Sequence, residues 1–94
     1  MDKLNNFRQK IDVIDANIAR LFRLRFKFVR HISNLKKSEH LHIADKKREY
    51  EVLNNIKKYS SKSDKKFMID IYTKIINYSK KMQSDAYGRK KFNQ

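Results

Sequence analysis

LNNFRQKIDVIDANIARLFRLRFKFVRHISNL, residues 4 to 35, contains neither Gly nor Pro and carries apolar side chains at Leu4, Phe7, Ile11, Ile14, Ile18, Leu21, Phe28, Ile32 and Leu35. Once position 25 is included, the steps alternate three and four without a break, the mark of a helix with one continuous apolar seam. A helix over residues 3–36 is about 50 Å long at 1.5 Å per residue, whereas a compact domain of this chain length has a radius of gyration near 12 Å. One chain cannot cover such a helix. The protruding part needs a partner, and a symmetric dimer is the commonest way to supply one.

The remainder reads as two shorter helices. Residues 37–44 lose the period and form a connection, after which Asp45 is a good N-cap for a helix running to about Tyr59 with the stripe Val52, Leu53, Ile56, Tyr59. The polar run Ser60-Ser61-Lys62-Ser63 ends it. Ser63 or Ser61 is then available to cap a third helix, with the stripe Phe67/Met68, Ile71/Tyr72, Ile75/Ile76, Tyr78/Ser79, Met82. The expected organisation is one all-α domain over residues 1–86 and a basic, frayed or disordered tail over 87–94. At this length a single chain buries only about 60 to 65% of the surface its unfolded form exposes, a second reason to expect a partner.

The formal charge of +14 points to nucleic acid, an anionic membrane surface or an anionic small molecule. Yet Lys outnumbers Arg more than two to one, and Lys, Asn, Ile, Tyr and Phe are plentiful together, the mixture that AT-rich codon usage produces. The charge alone therefore carries no function. Cys is absent, which excludes disulfides and thiolate metal sites. No apolar run approaches the ~18 residues of a membrane span, and Met1–Asn6 has no apolar stretch of the secretory kind, so the expected location is the cytoplasm. His40 and His42, with only Glu39 and Asp45 close by, fall short of a metal ligand set and read as solvated loop residues.

Several polar residues stand where apolar ones belong. The seam of the first helix asks for an apolar side chain at position 25 and receives Arg25; Lys36, eleven positions on, is rotated by only about 20° from it. Glu49 heads the stripe of the second helix, with Asp45 one turn before it and Arg48 beside it, and Ser79 and Gln83 stand one turn apart on the third. Each has an ordinary reading: a basic side chain reaching water from a helix edge, an acidic first turn complementing the helix dipole with Arg48 paired to Asp45, or a satisfied polar contact in a core. Together they place two cations, a carboxylate and neutral hydrogen-bonding groups on inward positions of three helices, a polar pocket suited to a small anion bearing a hydroxyl. Arg8 lies about 25 Å from Arg25 along a straight helix and cannot share a ligand with it within one chain. In a dimer with antiparallel long helices it enters the partner's pocket.

These residues resemble a known family. Phe7–Asp15 is similar to the opening "LRxxIDxID" of the all-helical AroQ-type chorismate mutases, and Leu24–Val29 to their Arg-containing middle segment. Lys36 stands where the family's catalytic lysine is expected, Asp45–Glu49 resembles "DxxRE", and Ile75–Gln83 resembles "IIxxSxxxQ". The resemblance covers about residues 4 to 84. It implies a three-helix protomer in an intertwined homodimeric bundle with two sites, each completed by an arginine, here Arg8, from the other chain. By the same resemblance Arg25 and the partner's Arg8 hold the two carboxylates of chorismate with help from Ser79. Asp45 and Glu49 engage its ring hydroxyl, Arg48 orients Glu49, and Lys36 and Gln83 contact the ether oxygen.

The implied reaction, an intramolecular rearrangement of chorismate to prephenate on the way to phenylalanine and tyrosine, needs no cofactor, nucleophile or proton transfer. It needs a pocket that selects a compact conformer of a flexible dianion and presents fixed donors to charge growing on the ether oxygen, often worth roughly 3 to 4 kcal/mol per donor. Three departures stand out: His42-Ile43 replaces a common Pro-Ile, the connection before the third helix is about two residues short, and the basic tail matches nothing in the family. Competing readings are an isochorismate-pyruvate lyase of the same fold, whose members lack an acid at the position of Glu49 and differ at Ser79; a catalytically silent interaction subunit; and a basic nucleic-acid binder, for which no recognition motif is present.

Overall fold

The computed structural model describes the backbone of residues 2–92 and side chains as far as Ala86. It contains three helices, α1 (Asp2–Ser38), α2 (Lys46–Tyr59) and α3 (Lys65–Phe92), and no strand among the described residues. The all-α, three-helix protomer expected from the periodicity is the fold found. It spans 60 × 28 × 15 Å with a radius of gyration of 17.3 Å, against the ~12 Å of a compact chain of this size. α3 packs against both α1 and α2, while α1 and α2 do not pack against each other and leave a cleft between them.

Every residue of α1 from Asp2 to Leu21 is exposed. The chain's own packing begins at Phe22 and uses Phe22, Arg25, Phe26, Val29, Ser33 and Lys36. Phe22 stacks on Phe26 at a centroid distance of 6.1 Å, and Phe26 meets the ring of Tyr78 edge-on at 5.1 Å. This inner stripe is rotated from the long seam: Phe28, Ile32 and Leu35 keep 56%, 46% and 58% of their surface exposed. The seam is thus a second apolar face, and Arg25 lies on the border between the two. The apolar core proper is Val29, Ile75 and Ile76, and equally buried beside it are three polar residues, Ser33, Ser79 and Gln83.

α1 ends in a Schellman motif, with Leu41 N–H donating to the Lys36 carbonyl at 2.7 Å and His40 N–H to Lys37 at 3.3 Å. The residue in the left-handed conformation is His40, at φ 56°, where Gly is the usual choice. Asp45 caps α2 as expected, its Oδ1 accepting from Arg48 N–H at 3.0 Å. The cap expected of Ser63 or Ser61 is corrected at α3: the residue before that helix is Asp64, whose carbonyl accepts from Met68 N–H at 2.9 Å. Ser61 instead holds Asp64, donating from Oγ to Oδ2 at 2.9 Å. α3 continues to Phe92, past the Tyr87 where a frayed tail was expected to begin, and Asn93 and Gln94 lie outside the described residues. Among the described residues no helix is long and apolar enough to cross a membrane.

Candidate active site

The cleft between α1 and α2, floored by α3, holds a cavity of about 340 Å³. Seven of the eight residues singled out from the sequence line it: Arg25, Lys36, Asp45, Arg48, Glu49, Ser79 and Gln83. Arg8 does not, being on the half of α1 where every described residue is exposed.

Two short networks join α1 to α3. Arg25 Nη1 donates to Ser79 Oγ at 2.9 Å, and the Ser79 hydroxyl donates in turn to the Ile75 carbonyl at 2.9 Å. The Arg25 guanidinium also lies 5.8 Å from the centre of the Tyr72 ring, a cation–π distance that steadies its plane. One N–H of five is used at Ser79, so the rest of the guanidinium fork remains for a ligand. A turn further along, Lys36 Nζ donates to Gln83 Oε1 at 3.1 Å and to the Ile43 carbonyl at 2.6 Å. An ammonium has three donors and no acceptor. Two are therefore committed and the third is left for whatever fills the cavity. Because Lys36 can only donate, Gln83 must turn its oxygen toward it, and its Nε2 then donates to the Ser79 carbonyl at 3.3 Å.

Glu49, in the first turn of α2, receives Lys80 Nζ at 3.1 Å on Oε1. Its other oxygen, Oε2, is buried without a hydrogen-bond partner. An unpaired buried carboxylate oxygen in a cavity wall is a position where a ligand hydroxyl is welcome, since leaving such an acceptor unsatisfied costs about 1 to 3 kcal/mol. Asp45 has one oxygen occupied by the helix cap. The expected orienting of Glu49 by Arg48 is not what is found: the Arg48 side chain is exposed and makes no hydrogen bond or ion pair among the described residues, and Glu49 is held from α3 by Lys80. Neighbouring positions on a helix point about 100° apart, so Arg48 is badly placed to reach Glu49.

Lys80 and the Ile43 carbonyl were missed from the sequence, although Lys80 lies between Ser79 and Gln83 on the same cavity wall, and Val52 and Ile76, expected as helix stripe positions, also form apolar walls of the cavity. The lining carries four cationic and two acidic side chains, an excess of two positive charges. No cluster of His, Asp and Glu among the described residues is arranged to hold a metal ion. No reactive thiol or paired hydroxyl and imidazole lines the wall. The arrangement suits gripping a small dianion from several sides, with a hydroxyl acceptor at one end and an ammonium at the other.

Fold and site together define an all-α protein that encloses a cationic cavity in the cleft of a helical bundle. The chain belongs to the chorismate mutase type II family, whose model matches residues 7–84. That span includes all eight residues named above. No curated relative matches the chain.

Proposed function

We propose that the cavity is the active site of a chorismate mutase, an isomerase converting chorismate to prephenate for phenylalanine and tyrosine synthesis in the cytoplasm. The observation that carries the reading is the pairing of an excess of two positive charges with an unsatisfied buried oxygen of Glu49, in a cavity of about 340 Å³. A dianion with a ring hydroxyl answers both. Arg25, steadied by Ser79 and Tyr72, takes one carboxylate, and Glu49 Oε2 accepts from the ring hydroxyl with Asp45 beside it. The free donor of Lys36 faces the ether oxygen. Arg48 at the rim adds positive potential.

No group in this scheme exchanges a proton with the substrate. The wall contributes by holding the chair-like conformer, an orientation effect, and by stabilising negative charge that grows on the ether oxygen as its bond to carbon lengthens. Lys36 is suited to this because Gln83 and the Ile43 carbonyl fix its ammonium before substrate arrives.

The second substrate carboxylate is assigned to Arg8 of a second copy of the chain, in an intertwined homodimer. The apolar seam supports this assignment. Phe7, Ile11, Ile14, Ile18 and Leu21 are 44% to 61% exposed, and burying one such side chain stabilises by roughly 1.5 to 3 kcal/mol. Antiparallel pairing of two α1 helices about their middle brings each Arg8 to the other chain's cleft. Neither nucleic acid nor membrane has a place in the scheme.

The test is loss of chorismate absorbance on adding the purified protein, with a product assay separating prephenate from salicylate and pyruvate. Prephenate is the expected product, and Lys36→Ala is expected to lower kcat/KM on the order of a hundredfold to a thousandfold. Pyruvate release with salicylate from isochorismate, or no turnover by a folded dimer, would replace the reading with the lyase or the silent subunit.

A further inference from the structure

We propose that Lys80 is a positioning residue for Glu49, and that this pair, with no part played by Arg48, sets the acceptor that receives the substrate's ring hydroxyl; the proposal rests on the chorismate reading of the cavity. α3 sends three polar side chains to the cleft, and each holds a different partner. Ser79 holds Arg25, Gln83 holds Lys36, and Lys80 holds Glu49. The first two partners come from α1 and the third from α2, so α3 sets the spacing between the two walls of the site.

The two oxygens of Glu49 are unequal. Oε1 takes the Lys80 ammonium at 3.1 Å, and Oε2 is buried and has no partner. Half-buried as they are, with side chains 35% and 26% exposed, Lys80 and Glu49 form a pair that solvent partly screens. Its effect is therefore mainly geometric: an ammonium on one oxygen fixes the carboxylate rotamer and with it the place of the second, unpartnered oxygen in the cavity wall. Without Lys80 the carboxylate loses the one polar partner it has among the described residues and is free to turn toward water, taking the hydroxyl acceptor with it. Arg48 offers no substitute, since it is exposed and makes no hydrogen bond or ion pair with Glu49 among the described residues.

The experiment compares Lys80→Met, Lys80→Gln and Lys80→Arg with wild type, each also in a Glu49→Gln background, with Lys74→Met as a control that removes the same charge from an exposed position of α3. The readouts are kcat and KM for chorismate, and calorimetric binding of a compact bicyclic dicarboxylic acid that mimics the chair, with and without its hydroxyl. Lys80→Met and Lys80→Gln are expected to lower kcat/KM about tenfold, and to weaken the hydroxylated diacid by a similar factor while changing the hydroxyl-free diacid less than about twofold. Lys80→Arg restores most of the loss, and in the Glu49→Gln background the same substitutions lose most of their effect, as coupled neighbours do.

Equal losses on both diacids, an undiminished loss in the Glu49→Gln background, or an equal loss in Lys74→Met would overturn the proposal and leave Lys80 as a general positive charge. Wild-type turnover accompanied by such losses overturns this proposal alone. A wild type that neither turns over chorismate nor binds either diacid overturns it together with the function.

Discussion

The two halves of α1 share one helix and one three-four rhythm but meet different surroundings. From Phe22 onward the helix turns Arg25, Val29, Ser33 and Lys36 onto α3, and two of these four make the hydrogen bonds that build the cleft. Before Phe22 every described residue is exposed, although Leu4, Phe7, Ile11, Ile14, Ile18 and Leu21 are as apolar as any core stripe. The difference is the ground for proposing a second copy. Among the described residues the chain's own core is three apolar residues and three polar ones, small for a chain of 94 residues, and in that proposal the exposed seam is the apolar surface the second copy covers.

Breaking the uncovered half should produce the largest effect. Ile14→Asp places a charge in the middle of the seam twice per dimer, and the loss is expected to reach several kcal/mol per dimer. Sedimentation should then show monomer and circular dichroism a loss of cooperative unfolding; a stable Ile14→Asp dimer would mean that the seam is not the interface. On the covered half, Gln83→Leu leaves Lys36 with the Ile43 carbonyl as its remaining partner. It should lower kcat/KM by about tenfold to a hundredfold, with the melting temperature nearly unchanged. That is a smaller loss than in Lys36→Ala, because the ammonium is still present but less well aimed.

The smallest effect has the opposite sign. His40→Gly relieves a left-handed backbone conformation at the end of α1, offset in part by greater freedom of the unfolded chain. A net gain of about 0.5 kcal/mol is expected, seen as a rise of a few degrees in the unfolding midpoint. Unchanged turnover in this variant would show that the Schellman turn positions Lys36 equally well with either residue.

The halves also differ in how far the sequence disclosed them. The three helices, the Asp45 cap and five of the cavity residues, Arg25, Lys36, Glu49, Ser79 and Gln83, followed from periodicity and from polar residues interrupting it, while Asp45 and Arg48 entered the site through the family resemblance. The inner stripe did not, because the apolar seam of α1 is the longer and stronger pattern and belongs to the face the chain leaves open. His40 was unreadable for a related reason: a left-handed residue announces itself when it is Gly, and here a histidine bears the strain. Asp64 displaced the two serines as the residue before α3 because Ser61, Ser63 and Asp64, three capping residues within four positions, are equivalent until the turn is built. Lys80 was hidden among lysines. In a chain with 24 basic residues, one more on an exposed-looking position carries no signal until its distance from Glu49 is known.

The most direct test of the account is complementation between two variants that each spoil one half. Arg8→Ala and Arg25→Ala homodimers are both expected to be nearly inactive, the first lacking the arginine donated across the dimer and the second the one supplied within the protomer. Unfolding the two together and refolding them as a mixture makes about half of all dimers hybrids, each with one intact site, so activity should return to roughly 25% of wild type. Recovery to that level is the result the account predicts. A mixture no more active than its components, with hybrids shown to be present, would contradict it.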